Sequence, residues 1–207
     1  ECACVSINGA NRLGSNSLTE LLVFGRRAAL SAMAHLQSHQ VPSSDAALAA
    51  KAKESQNRIQ ALFDKSNGTE SIAGLRQEMM DTMEENVGIY RTGEGLAAAC
   101  EKIAELRRRY ANIALTDKTH VYNTDLIQAL ELGSMLDCAE AVTVGARDRK
   151  ESRGAHQRLD FTARDDENLL KHSLAHYHPT EPPRIEYLDV VITKSQPGVR
   201  DYSGAKK

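Results

Sequence analysis

Apolar positions recur at intervals of three and four along most of this chain, a period that belongs to helices and not to strands. From Leu18 to Leu36 the residues Leu18, Leu21, Leu22, Gly25, Ala29, Ala32, Met33 and Leu36 form one stripe, which predicts a helix with a buried face. Val41-Pro-Ser-Ser-Asp45 breaks that run and restarts it, with the serines or Asp45 as caps. The stretch from about 45 to 64 is rich in alanine and lysine, with only Leu48, Ile59, Leu62 and Phe63 as anchors, so it is expected to be the most exposed helix. Ser66-Asn67-Gly68 ends it. A further run carries Ile72, Leu75, Met79, Met83, Val87 and Tyr90; the next carries Leu96, Cys100, Ile103, Leu106 or Arg107, Tyr110 and Ile113. The longest starts near Asn123 and continues towards Arg149, with Leu126, Leu130, Met135, Leu136, Ala139 and Val142 inward. Three long amphipathic segments joined by short turns are best satisfied by an antiparallel bundle, and the methionines among them read as core filler.

The texture then changes. Glu151 to Asp166 is dense in charge with glycine at its tight point, which predicts an ordered loop held by ion pairs: Arg153 or Arg158 with Asp160, and Arg164 with Asp165 or Asp166. His156 within it has no inferable partner and is taken as structural. Asn168 to Ala175 reads as a short helix or turn, and Pro179 to Pro183 as a loop. Arg184 to Ile192 alternates and is β-branched, the only clear strand signal here. A lone strand cannot satisfy its own backbone, so it must pair with another segment, one outside this chain included. The polar tail from Gln196 to Lys207 is expected to fray.

Composition narrows the function classes. With 207 residues the chain can bury a substantial core, and a formal charge of -2 with both signs interspersed gives no broad reason to bind nucleic acid or an anionic membrane. No apolar run approaches the ~20 residues of a membrane span, and there is neither a starting methionine nor a charged-then-apolar leader. Cys2, Cys4, Cys100 and Cys138 form no metal or disulfide framework; Cys100 and Cys138 read as small core residues, and a reducing cytosol suits all four. His172, His176 and His178 have a metal-like spacing but read as exposed, as do His35 and His39. Gly93-Glu-Gly95-Leu-Ala-Ala98 imitates a dinucleotide fingerprint, yet what precedes it has helical periodicity, so it reads as a turn between helices. Arg107-Arg108-Arg109 reads as a solvated helix face.

Candidate chemistry gathers near the start. Gly9-Ala10-Asn11-Arg12-Leu13-Gly14-Ser15-Asn16 is a small-residue loop feeding an apolar-periodic run, and Ser17-Leu-Thr-Glu20 reads as a capping box with Ser17 at the N-cap. A helix start presents N–H groups and partial positive charge to an anion or an electron-rich ring. Arg12 adds a planar fork suited to a carboxylate or phosphate. The plainer alternative is that Ser17 only caps and Arg12 only solvates a turn.

Gly9 to Leu18, with Glu1-Cys-Ala-Cys before them, closely resemble the substrate and flavin loop of the succinate dehydrogenase and fumarate reductase flavoprotein subunits. Asp117-Lys118, Asn123-Thr124, Ala129-Leu130-Glu131-Leu132, Glu151-Ser152-Arg153-Gly154-Ala155-His156 and Arg164-Asp165-Asp166 recur in the same order in that family, as do Ile192-Thr193 and Gln196-Pro197. L-aspartate oxidase shares the first loop, but the later words fit it less well.

The resemblance implies a carboxy-terminal piece of a longer FAD-dependent subunit that interconverts succinate and fumarate and exchanges electrons with an iron-sulfur subunit. By that reading residues 1–40 end the flavin-binding domain, 41–150 form the helical bundle and 151–207 a charged loop and one strand, a mainly α fold. The implied roles are a substrate-carboxylate clamp for Arg12, N–H groups at Ser17 and Leu18 against the flavin edge, and a hydrogen bond from Glu1 to cofactor hydroxyls. The proton-shuttling arginine, the covalent flavin histidine and the glycine-rich ADP loop lie upstream in that family, so no catalytic residue is assigned here and the isolated piece is expected to be inactive. Asn8 stands where many relatives have histidine, and Leu169 where family habit puts tryptophan, which predicts altered packing there. The expected setting is cytoplasmic, held at the membrane through partner subunits without inserting into it. The alternatives are an L-aspartate oxidase-like flavoenzyme and a non-catalytic helical docking module.

Overall fold

The computed structural model describes residues 4, 6–10, 12, 14–38 and 45–198. Five helices are found among them: α1 (Asn16–Ser38), α2 (Asp45–Asp64), α3 (Ile72–Val87), α4 (Gly93–Tyr110) and α5 (Thr124–Asp148). The last three are started by polar side chains that satisfy amides the helix itself cannot. Ser71 Oγ accepts from the Gly74 N–H at 3.2 Å, Thr92 Oγ1 from Gly95 at 3.1 Å and Asn123 Oδ1 from Leu126 at 2.7 Å. The Asn123 amide also donates back to the carbonyls of Asp117 and Thr119, so one side chain fixes both the turn and the start of α5.

The main core joins Ile72, Leu75 and Met79 from the start of α3, Ile103 and Leu106 from the end of α4, and Ala129, Leu132, Leu136 and Ala139 from the first part of α5. A smaller cluster joins Val87, Leu96, Ala99 and Ala146 at the opposite ends of the same helices. Helix α4 therefore runs opposite in direction to α3 and α5. Gly133 lets α5 approach closely, since a Cβ there would lie 2.8 Å from the Tyr110 hydroxyl, which donates to the Ala129 carbonyl at 2.8 Å. Leu62 and Phe63, at the end of α2, pack on the rim of this core, and Lys118 Nζ grips the carbonyls of Leu62, Phe63 and Lys65.

The structure departs from the sequence expectations in several places. Tyr90 leaves the α3 stripe and, with Arg91, forms β1 (Tyr90–Arg91), paired in parallel with β2 (Gln157–Arg158). On α5, Val142 and Cys138 face outward, and the buried face sets Ala129, Thr143 and Ala146 beside Leu132 and Leu136, because close helix contact favours small residues that hydropathy ranks low. The segment expected to be helix or turn after Asn168 supplies instead β3 (Lys171–His176), antiparallel to β4 (Arg184–Asp189) with His176 opposite Arg184. The carboxy-terminal strand is thus not single and finds its partner within the chain. Lys171-His-Ser-Leu-Ala-His has no β-branched residue, so pairing with β4 and not local preference decides its conformation.

The arginine run is not solvated throughout either. Arg109 reaches Glu70, Glu78 and Glu105 from α4, with distances of 2.7–3.1 Å, and together with Lys102 it holds the Glu78 carboxyl down at about 2. Arg107 pairs with Glu140 and, at 3.1 Å, with Asp137; burial pushes the Glu140 carboxyl up. Of the three, only Arg108 stays exposed. Arg107 and Arg109 leave α4 on opposite sides, the first towards acids of α5 and the second towards Glu78 of α3 and Glu70 just before it, which a single-helix view cannot reveal.

Beyond α5 the chain is ordered by buried charge. Arg158, 3% exposed, donates through Nη1 to the carbonyls of Ala146, Arg147 and Arg149 at the end of α5, and through Nε and Nη2 to both oxygens of Asp160 at 2.7 Å. Asp160 in turn accepts the N–H of Gly93, the first residue of α4, at 2.9 Å. Glu151, fully buried, accepts from Arg149, Arg153 and the Asp165 N–H at 2.6–3.1 Å. Burial alone would raise its carboxyl, but these donors together hold it below its ordinary value. Arg153 and Arg164 both pair with Asp166 at 2.6 Å, so the expected loop pairings Arg158–Asp160 and Arg164–Asp166 are found and Glu151 is the added centre.

His156, 3% exposed, lies between Arg91 Nη1 at 2.8 Å from Nδ1 and the Arg149 carbonyl at 3.1 Å from Nε2. A guanidinium only donates, so Nδ1 accepts and Nε2 carries the proton, a neutral imidazole. Burial, and then the neighbouring charges of Arg91, Arg158 and Arg149, hold its pKa below 6.5. The unfolded chain takes up this proton near the ordinary value of about 6.5 while the fold refuses it, so stability falls as pH drops through that value towards the folded pKa. Urea titrations at pH 7.5 and 5.5 should show that loss, and His156→Gln, which keeps a neutral donor and acceptor, should show a smaller one.

Candidate functional site

The loop before α1 is bounded by backbone in the left-handed region: Ser6 has φ 64°, Gly9 58° and Ser15 67°. These bends turn the chain sharply at both ends of the segment bearing Arg12, whose side chain is exposed. Helix α1 begins at Asn16, so Ser17 lies inside the first turn, 8% exposed, and is not the N-cap. Glu20, 5% exposed, does not reach back to Ser17; its Oε2 accepts from Asn8 Nδ2 at 2.5 Å. The capping box is therefore replaced by a tie across the loop, because a left-handed Ser15 already sets the entry angle into α1. The first turn of α1 contains no acidic residue, which leaves the positive end of its dipole beside the arginine loop. The Leu18 N–H donates to the Ser15 carbonyl at 3.2 Å, while the Leu18 side chain is 65% exposed. Glu1 lies outside the described residues.

Sequence reasoning missed the Asn8–Glu20 tie, since nothing in a spacing of twelve residues with a turn between signals it. Asn8 Oδ1 is buried with no hydrogen-bond partner among the described residues. The sequence also misplaced the face of α1. Leu22 is 78% exposed and Leu36 71%, and the residues α1 buries are Ser17 and Glu20. The periodicity is real, but the described residues do not cover that stripe. An apolar face of this length beside an exposed guanidinium is the surface expected of a seam with further protein or a cofactor.

The other candidates separate from this loop. His176 Nε2 lies 2.8 Å from Glu186 Oε2 on the neighbouring strand, and His178 Nδ1 accepts the Glu181 N–H at 2.9 Å. No group of metal-ligating side chains is found among the described residues. Gly93 and Gly95 start α4 after a two-residue strand, and a Cβ on Gly95 would lie 3.0 Å from Asn86 Oδ1, so no phosphate could approach that backbone in the manner of a dinucleotide loop. A groove of about 950 Å³ is lined from α2, α4, α5 and the β3–β4 connection, including Arg58, Arg108, Tyr110 and Tyr177, and takes no residue from the arginine loop. No described helix is long and apolar enough to cross a membrane.

Comparison with known proteins gives this loop its context. Residues 76–202 match the family described as fumarate reductase flavoprotein C-term. The fumarate reductase flavoprotein subunit of a Serratia species is 50% identical over 207 residues, which cover 99% of this chain and 34% of that protein. The succinate dehydrogenase flavoprotein subunit of Rickettsia bellii is 40% identical, covering all of this chain and 34% of its own length. A solved structure of Escherichia coli quinol fumarate reductase superposes with a TM-score of 0.88 at 45% identity, covering 96% of this chain and 34% of that one. The chain thus spans about a third of the length of the relatives it matches.

If the α1 face is a seam and not core, Leu22→Gln should shift the unfolding free energy of this chain by less than about 0.5 kcal/mol. Leu132→Ala in the bundle core should cost about 2–5 kcal/mol. Urea titration of the two variants beside the parent measures both.

Proposed function

The chain belongs to the fumarate reductase and succinate dehydrogenase flavoprotein family, as the C-terminal portion of its subunit, and from that premise we propose that it completes an FAD-dependent site interconverting succinate and fumarate. The observation that carries the reading is the exposed Arg12 on a loop bent at both ends, next to a helix start whose positive dipole no acid in its first turn offsets. A dicarboxylate brings negative charge to a place where a guanidinium fork and the end of a helix can receive it. In the longer subunit Arg12 holds one substrate carboxylate, and the first turn of α1 at Ser17 and Leu18 lies against the flavin, where oriented amides favour its electron-rich state.

The residues present fit that cofactor in character. The exposed leucines of α1 offer apolar contact to a flavin ring, and the acid-free first turn of the same helix offers the positive end of its dipole to an electron-rich edge. FAD, when bound, supplies hydride exchange with the substrate carbon. Arg12 fixes the substrate's orientation and α1 biases the electrostatics; neither moves a proton. Glu1 bonds cofactor hydroxyls by the same analogy. Electrons pass to or from an iron-sulfur subunit, and the assembly sits at the cytoplasmic face of the membrane through its partners.

In the flavoprotein carrying this segment, Arg12→Ala should lower turnover by at least about a thousandfold while flavin content stays at the parental level, and Arg12→Lys should recover little, since a point charge lacks the fork. Steady-state kinetics normalised to flavin absorbance check this; unchanged kinetics would refute the clamp. The 207-residue chain alone should neither retain FAD through gel filtration nor oxidise succinate.

A further inference from the structure

Only two side chains of α1 are buried at its loop end, Ser17 and Glu20, and Glu20 turns away from solvent to meet an amide twelve residues earlier. The Asn8 Nδ2 to Glu20 Oε2 distance of 2.5 Å and the burial of Glu20 to 5% make this a short, shielded contact, not a surface one. Its orientation is fixed by chemistry. A carboxylate only accepts, so the amide nitrogen of Asn8 must face Glu20 and Oδ1 must face the other way. Between the two residues lie Gly9 to Thr19, and within them Arg12 and the bend at Ser15. The tie therefore closes a lasso whose knot is part-buried and within which Arg12 is exposed.

We propose that Asn8 and Glu20 form a clasp that positions Arg12 for its anionic ligand, an inference that rests on the reading of Arg12 as the substrate-carboxylate clamp. Without the clasp, the segment from Gly9 to Ser15 that leads into α1 loses its tie to the helix at Glu20, and the guanidinium samples a wider volume. Asn8 and Glu20 touch neither substrate nor cofactor; they act through the loop. What the clasp requires at position 8 is an N–H donor of the right reach, so histidine there satisfies it and leucine or aspartate does not.

The test uses the flavin-loaded, full-length flavoprotein that carries this segment, with succinate and an artificial electron acceptor. Asn8→Leu, which removes the donor, should raise KM for succinate about tenfold at every pH, with kcat changed less than threefold and flavin content unchanged. Asn8→His should stay within about threefold of the parent. Asn8→Asp sets two carboxylates against each other, so one of them binds a proton more readily than usual. Its KM should be raised at least about tenfold at pH 8 and should recover towards the parent as pH falls to 6, a profile that a general loss of folding would not produce. If Asn8→Asp does not retain flavin, the contrast between leucine and histidine decides. KM values within twofold of the parent for both Asn8→Leu and Asn8→Asp, alongside an inactive Arg12→Ala, would overturn the clasp and leave the Arg12 reading standing. An active Arg12→Ala would instead remove the reading on which the clasp depends.

Discussion

One guanidinium holds the two halves of this fold in register. Arg158 lies on the carbonyl end of α5, where the helix leaves unsatisfied acceptors and partial negative charge, and its partner Asp160 lies on the amide end of α4, where the signs are reversed. Each charge meets the helix end that suits it, and the bidentate contact at 2.7 Å joins the two ends. The neighbouring β1–β2 pairing, two residues long, would be weak alone; Arg158 is itself in β2, so the same residue fixes strand and helix together.

Such an arrangement would be costly if any part were missing. A buried arginine or glutamate loses hydration worth several kcal/mol, and a single hydrogen bond does not offset that. Arg158 has five acceptor contacts and Glu151 has four donor contacts, and in both cases backbone groups share the work with opposite charge. Most backbone groups of the irregular segment from 149 to 169 have no helix or sheet to pair within, and the buried side chains replace that framework. The neutral His156 fits the same logic: among three guanidiniums an acceptor nitrogen is useful and another positive charge is not.

The bundle was readable from the sequence because period and caps agree. Asn123 was expected near the start of α5 and is its N-cap, and Ile72, Leu75, Met79, Leu96, Ile103 and Leu136 are buried as their spacing implies. What failed did so where a distant partner decides. Lys171 to His176 is a strand because β4 lies beside it, and Arg109 is a hub because Glu70 and Glu78 lie opposite; neither partner is visible from local pattern. Around the candidate site, Arg12 and the helix start were legible as chemistry, whereas the Asn8–Glu20 contact was not, since Glu20 has an apparent local use as a capping residue three positions after Ser17.

The exposed stripe on α1 is the informative misfit. A hydrophobic period is a statement that some surface will be covered, not that this chain supplies the cover. The cores formed by α3, α4 and α5 close without any α1 residue, so that stripe is not needed for the stability of the bundle. Sequence that keeps leucine at Leu18, Leu21, Leu22 and Leu36 on a helix facing outward incurs a solubility cost with no return within the bundle. The apolar face of α1 follows directly in the chain on the loop that bears the exposed Arg12. On the proposed reading of Arg12, a charge that grips an anion in a low-dielectric place has to be presented at the edge of its own fold and enclosed by something else, and the leucines that follow it are where that enclosure would attach.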